Sequence, residues 1–188
     1  MYTSTIRLAG VIVVASTLTG CASMNVNAYL AGGVNLRELR TYNWAPADAQ
    51  STGDPRLDNN RFFEERVQAA VEQQLRVRGF EKTVSPDLLV HYHASVTQEI
   101  YMRGAERSGG YGEDCQPEVY DEGTLLIDLV DTRTDQLVWR GWAKGAIDGV
   151  VDDQKWMERR IDDAVALIMR KLPRRLQVRM RESRIQGF

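Results

Sequence analysis

Cysteine is scarce in this chain of 188 residues, where only Cys21 and Cys115 carry a thiol. Two cysteines allow one bridge at most, so a disulfide framework cannot substitute for a packed core. Histidine is equally scarce: His91 and His93 are the whole supply. Positive charge is not in excess, because 24 lysines and arginines face 26 acidic residues, for a formal net charge of −2. A nucleic-acid binder normally presents a basic excess to phosphates, so DNA and RNA are not expected partners. Gly-x-Ser-x-Gly is missing, and Gly109-Gly110-Tyr111-Gly112 lacks the Lys and Ser/Thr of a phosphate-binding loop. What is present is ordinary globular usage, 43% hydrophobic and 27% charged residues, enough for one domain with a packed core.

The first twenty residues have a different character. Arg7 is the only charge before Cys21, and an apolar run follows from Leu8 to Leu18, broken only by Gly10, Ser16 and Thr17. As a helix that run spans roughly 16 Å, about half of a ~30 Å hydrocarbon core, so it is too short to cross a bilayer. A basic start, a short apolar stretch and small residues at its end form the pattern of an export signal. Leu18-Thr19-Gly20-Cys21 resembles the bacterial lipobox. The thiol can take a diacylglyceryl group as a thioether, and small flanking residues let a membrane-embedded peptidase reach the backbone at Gly20. Residues 1–20 are therefore expected to be a cleaved lipoprotein signal peptide. Cys21 is the expected lipidation site, carrying fatty acyl chains such as palmitate, and two or more chains give stable anchoring where one gives marginal binding. Ala22, in place of Asp, resembles the sorting pattern for an outer-membrane lipoprotein facing the periplasm.

Periodicity organises the rest. Met24 to Leu30 alternates as a half-buried strand does, and Arg40 to Ala45 is a second short strand with Tyr42 and Trp44 on one face. A helix is expected from a cap at Asp58 to Arg78, with Phe63, Val67, Ala70, Val71 and Leu75 as its apolar stripe and Gly79 as its stop. Pro86 opens a strand from Asp87 to about Glu99. The polar, glycine-rich stretch from Met102 to Pro117 reads as a hairpin loop. Strands Gly123 to Asp131 and Gln136 to about Ile147 flank a turn at 132–135. In the second of these, Leu137, Trp139, Gly141 and Ala143 are expected to oppose Val138, Arg140, Trp142 and Lys144. Asp152 or Asp153 caps a last helix that Pro173 ends. Two helices cover one face of such a sheet, so the expected architecture is an α+β two-layer sandwich. Its sheet is mainly antiparallel, with about five strands.

Thr41-Tyr42-Asn43-Trp44, Gly79-Phe80, Pro86-Asp87-Leu88-Leu89-Val90, Gly123-Thr124-Leu125, Asp128-Leu129-Val130-Asp131 and Leu137-Val138-Trp139-Arg140-Gly141 occur in that order, followed by a helix ending in Leu172-Pro173. Together they resemble the DUF4136 family of bacterial lipoproteins, over about Val26 to Pro173. The resemblance implies an α+β domain on a lipid-anchored periplasmic protein, and it implies no activity. The chain thus divides into a signal (1–20), a DUF4136-like domain (21–173) and a basic tail (174–188), whose five arginines and one glutamate sum to +4.

Candidate chemistry is thin. His91 and His93 lie two apart on a strand, so both rings leave one face, and a metal site there needs a third ligand such as Asp128 from a neighbouring strand. The simpler reading is polar sheet surface. Cys115 sits in the glycine-rich loop with no rigid shell to activate it, although an exposed thiol in an oxidising compartment can pair with another chain. The acidic pairs Asp152-Asp153 and Asp162-Asp163 are accounted for by capping and solvation. No catalytic or metal-binding residues and no cofactor are therefore expected. Trp139 is expected in the core, with Trp142 on the opposite sheet face, where a partner or a helix covers it. The reading that results is a lipid-anchored binding or scaffolding module with an envelope protein or glycan as partner. The alternatives are an envelope hydrolase with an unrecognised site and a metal-binding lipoprotein using His91 and His93.

Overall fold

The computed structural model describes residues 24–46, 51–103 and 116–173. The elements run β1 (Asn25–Leu30), β2 (Thr41–Trp44), α1 (Arg61–Val77), β3 (Glu81–Lys82), β4 (Leu88–Arg103), β5 (Gln116–Asp131), β6 (Gln136–Ala146) and α2 (Gln154–Arg170). One sheet contains all the strands, in the order β1-β6-β5-β4-β2-β3. Pairing from β1 through β4 is antiparallel, whereas β2 is parallel to both β4 and β3. The α+β class is as expected. The sheet, however, has six strands and is mixed, because α1 carries the chain from β2 back to the same end and so makes the β2–β4 pair parallel. The sixth strand, β3, has two residues, too few to show a period.

Both helices start from side-chain caps. Asn60 accepts a hydrogen bond from the Phe63 N–H, and Asp153 accepts from the Trp156 N–H. Asp58, the expected cap of α1, is instead engaged by the Thr52 N–H and the Ser51 and Thr52 hydroxyls. Asn59 turns the chain through a left-handed φ of 55°, so the helix begins two residues later than its composition suggests. The stripe Phe63, Val67, Ala70, Val71 and Leu75 is buried, as is Met157, Ile161, Ala164, Val165 and Ile168 on α2. These pack on one sheet face with Leu88, Val90, Leu125, Ile127, Leu129 and Trp139. Helix and strand approach closely at Gly141, where an added Cβ would lie 2.4 Å from Trp139 Cη2 and 2.6 Å from Ile168 Cγ2.

The β5–β6 hairpin departs from strict alternation. Leu129 pairs with Trp139 but Val130 with Leu137, so Val138 is an extra residue in a β-bulge. Val138 and Trp139 are consecutive and both buried, and Leu137 is displaced to the face of its partner Val130. The expected face of Trp139, Gly141 and Ala143 is right; those of Leu137 and Val138 are exchanged.

The other departure is length. β4 and β5 stay paired from Leu88↔Asp131 out to Arg103↔Gln116, well into what the composition suggested was loop. Beyond Glu122 this ribbon has outrun β6, whose last pair is Glu122↔Ala146. It leaves the body at the end where Met24 leads into β1 and both helices begin. The opposite end holds the helix C-termini, joined by Arg78 Nη2 donating to the Met169 carbonyl at 2.8 Å, and the start of β4.

Candidate functional site

The sheet face that neither of the described helices covers is the candidate site. Register assembles it in two rows across four strands. Tyr29, Arg140, Asp128 and His91 form one; Asn27, Trp142, Leu126 and His93 form the other. Tyr29 is half-exposed, while Trp142, Leu126, His91 and His93 are partly covered by their neighbours.

At the centre of this face lies a buried carboxylate. The Asp128 side chain is only 7% exposed, against 41% for Arg140. The two guanidinium donors Nε and Nη2 of Arg140 reach its oxygens at 2.7 and 2.6 Å, a forked pairing that fixes both groups. The Asp128 hydrogen bond pushes the Arg140 pKa up, so the cation persists at any physiological pH. The bulge at Val138 creates this pair. Without it, the register set at Asp131↔Gln136 would place Asp128 opposite Trp139.

The same pairing bears on the metal reading of this face. His91 lies directly across from Asp128, but both carboxylate oxygens are taken by Arg140. Among the described residues no group of three His, Cys, Asp or Glu side chains is gathered as metal ligands. Cys21, Cys115, the expected signal segment and the basic tail lie outside the described residues.

A hollow of about 320 Å³ runs along the edge of β4 where β2 has ended, bordered by Trp44, Thr52, Phe63 and Tyr92. Trp44 and Phe63 meet the Tyr92 ring edge to face, at centroid distances of 6.1 and 6.5 Å. Burial raises the Tyr92 pKa, so its phenol stays neutral and serves as packing. Asp58 also borders the hollow; the Thr52 N–H and the Ser51 and Thr52 hydroxyls hold its carboxyl below the usual range. Its oxygens are engaged in holding the loop that leads into α1.

Of the residues singled out from sequence, the sheet brings His91, His93, Asp128 and Trp142 onto one face and puts Trp139 in the core. Trp156 is elsewhere, 52% exposed on the first turn of α2. From the sequence, Arg140 is expected only as a member of its strand face. An opposite-charge pair on neighbouring strands is the trace it leaves in the sequence, and the bulge conceals the register that joins them.

No curated protein sequence matches the chain. Among solved structures it is similar to a PDZ domain protein from Parabacteroides distasonis, with a TM-score of 0.52 and 15% identity. That similarity covers 80% of this chain but 36% of the other, so the chain spans about a third of that protein. It is also similar to a PelC dodecamer from Paraburkholderia phytofirmans, with a TM-score of 0.43 and 12% identity, covering 78% of this chain and 95% of that one. At these identities the first likeness speaks for the fold alone. The model of a family described as a domain of unknown function, DUF4136, matches residues 26–174, most of the chain, and the protein belongs to that family.

Proposed function

We propose that the protein is a lipid-anchored binding or scaffolding module of the bacterial cell envelope. Acyl chains on Cys21 hold it to the outer membrane facing the periplasm, and the uncovered sheet face meets an envelope protein or glycan. In this reading it is not an enzyme. The observation that supports it most is the one-sided sheet, whose free face sets Tyr29 and Trp142 around the Asp128–Arg140 pair. Aromatic side chains and arginine are the residues that most often carry contact energy when a partner covers them. A shallow face of this kind suits recognition by area rather than by a deep pocket.

The test is a photo-reactive amino acid at Tyr29 in the anchored protein, with the same group at Val84 on the far side as control. The expected result is one recurring neighbour captured from position 29, lost when Trp142→Ala and Arg140→Ala are combined. Equal capture from both positions, indifferent to those substitutions, would end the reading.

A further inference from the structure

The β4–β5 ribbon and the route to Cys21 leave the domain at the same end, and their lengths can be compared. Met24 adjoins Asn25, which pairs with Lys144, itself level with Thr124 and Ser95. From Cys21 to Met24 there are three residues, which span at most about 11 Å however they are arranged. From Ser95 to Arg103 there are eight strand residues, about 26 Å at ~3.3 Å each. A bilayer holding Cys21 therefore lies nearer to the domain than the ribbon is long.

The ribbon's surface suits that position. Ile100 and Val119 are directly paired across it and are 68% and 58% exposed, with Tyr101, half-exposed, on the reverse. Tyr101 and Tyr120 share a hollow with Met24 and Asn25, on the ribbon face opposite Ile100 and Val119. Trp156, also half-exposed, marks the same end beside Gly149, and Ile147, Val150 and Val151 line a small apolar cavity of about 80 Å³ there. Aromatic side chains collect at the level of lipid headgroups because one end is apolar and the other wet. Charge selects the kind of lipid: Glu99, Glu118, Asp121 and Glu122 outnumber Arg103 on the ribbon, and Lys144 pairs with Glu122 and Glu99. An anionic surface would repel such a ribbon, whereas apolar insertion into zwitterionic lipid does not depend on charge.

We infer that the β4–β5 ribbon is a second membrane contact, seating Ile100 and Val119 in the interface of the bilayer that holds Cys21. This rests on the lipid anchor proposed above. It gives the domain a defined orientation, with the ribbon and Trp156 against the lipid and the start of β4 facing away.

The protein is purified from membranes, its intact mass read for acylation at Cys21, and reconstituted in phosphatidylcholine vesicles. Hydrogen exchange is then compared with the Cys21→Ser chain in buffer. The expectation is at least tenfold slower exchange in 97–103 and 116–122 on vesicles, insensitive to salt, with no change around Val84. Combining Ile100→Glu with Val119→Glu should abolish that protection while leaving the anchor in place. Equal exchange in the ribbon on vesicles and in buffer overturns the inference even when the mass shows acylation. If the mass shows a free Cys21, the anchor reading has failed on its own. Coupling that thiol to a maleimide lipid, in a chain with Cys115→Ser, then puts the ribbon to the same exchange measurement.

Discussion

The Asp128–Arg140 pair is asymmetric, and that asymmetry decides what each substitution does. Asp128 is almost fully buried, so Arg140→Ala takes from its carboxylate the guanidinium donors that both oxygens accept from. A broken buried pair costs about 3 kcal/mol. Asp128→Ala leaves a cation already 41% exposed, which can swing into water, and the expected cost is about 1 kcal/mol. Urea unfolding of the two variants checks the order; equal losses would mean that the carboxylate is better solvated than its burial indicates. Asp87 makes a different case. Its carboxylate accepts from the Arg40 and Thr41 N–H groups at 2.7 and 2.9 Å and from the Thr41 hydroxyl, tying the start of β2 to β4. Those backbone donors hold its pKa below the usual value. A lowered folded pKa contributes stability in full above the unfolded value of ~3.9, and that stability is lost as the pH falls through the folded value. Asp87→Asn keeps an acceptor but not the charge. It should therefore cost about 1 kcal/mol at pH 7, a gap that closes below about pH 4 when denaturation midpoints are compared.

At the scale of elements, none of the described ribbon residues beyond Val96↔Gly123 is buried, so the ribbon adds little to the core. The fully buried residues of β4 and β5 lie between Leu88 and Val90 and between Ile127 and Leu129, and no helix covers the pairs beyond Val96↔Gly123. Replacing residues 100–119 with Asn-Gly, a turn suited to a two-residue hairpin, keeps Asp121, whose carbonyl accepts from the Ile147 N–H. The shortened protein should unfold within about 1 kcal/mol of the parent, because the described side chains it removes, Ile100, Tyr101 and Pro117 to Val119, are exposed. A loss of several kcal/mol would show that the ribbon packs on the body. The same physics explains what the sequence disclosed. Helix stripes and the alternation of β4 and β5 near the core were legible because burial on one side imposes a period. The ribbon, exposed on both faces, has no such contrast, and its glycine-rich tip suggested that the loop began earlier. The bulge at Val138 was illegible for another reason: Val138 and Trp139 are both apolar, so two successive inward residues look like any alternating pair with one face mislabelled. The candidate site inherited that blind spot, since the bulge is what sets Asp128 opposite Arg140.

For the whole molecule, the two termini of the domain lie at opposite ends. Met24 enters β1 at the ribbon end, whereas α2, seventeen residues and so about 25 Å long, carries the chain to Pro173 at the other. The fifteen residues after Pro173, with their net charge of +4, are therefore rooted about a helix length away from a bilayer that holds Cys21. Fully extended they span about 50 Å, so length permits a return to that surface. Screening beyond ~8 Å at physiological salt means that attraction begins only after most of the distance has been crossed. Acyl chains, by contrast, act without crossing any distance, and two of them suffice for stable anchoring. Deleting Arg174 to Phe188 should therefore leave the protein in the membrane pellet, while Cys21→Ser should move most of it to the soluble fraction, as read by cell fractionation at 0.15 M and 0.5 M salt. Release by the deletion at low salt alone would instead assign the tail an electrostatic share of the anchoring. Retention of the serine variant in the pellet would remove the thiol from the account altogether. In the proposed orientation the tail is rooted at the end of α2 away from Met24, so an electrostatic tether would first have to span the length of the domain.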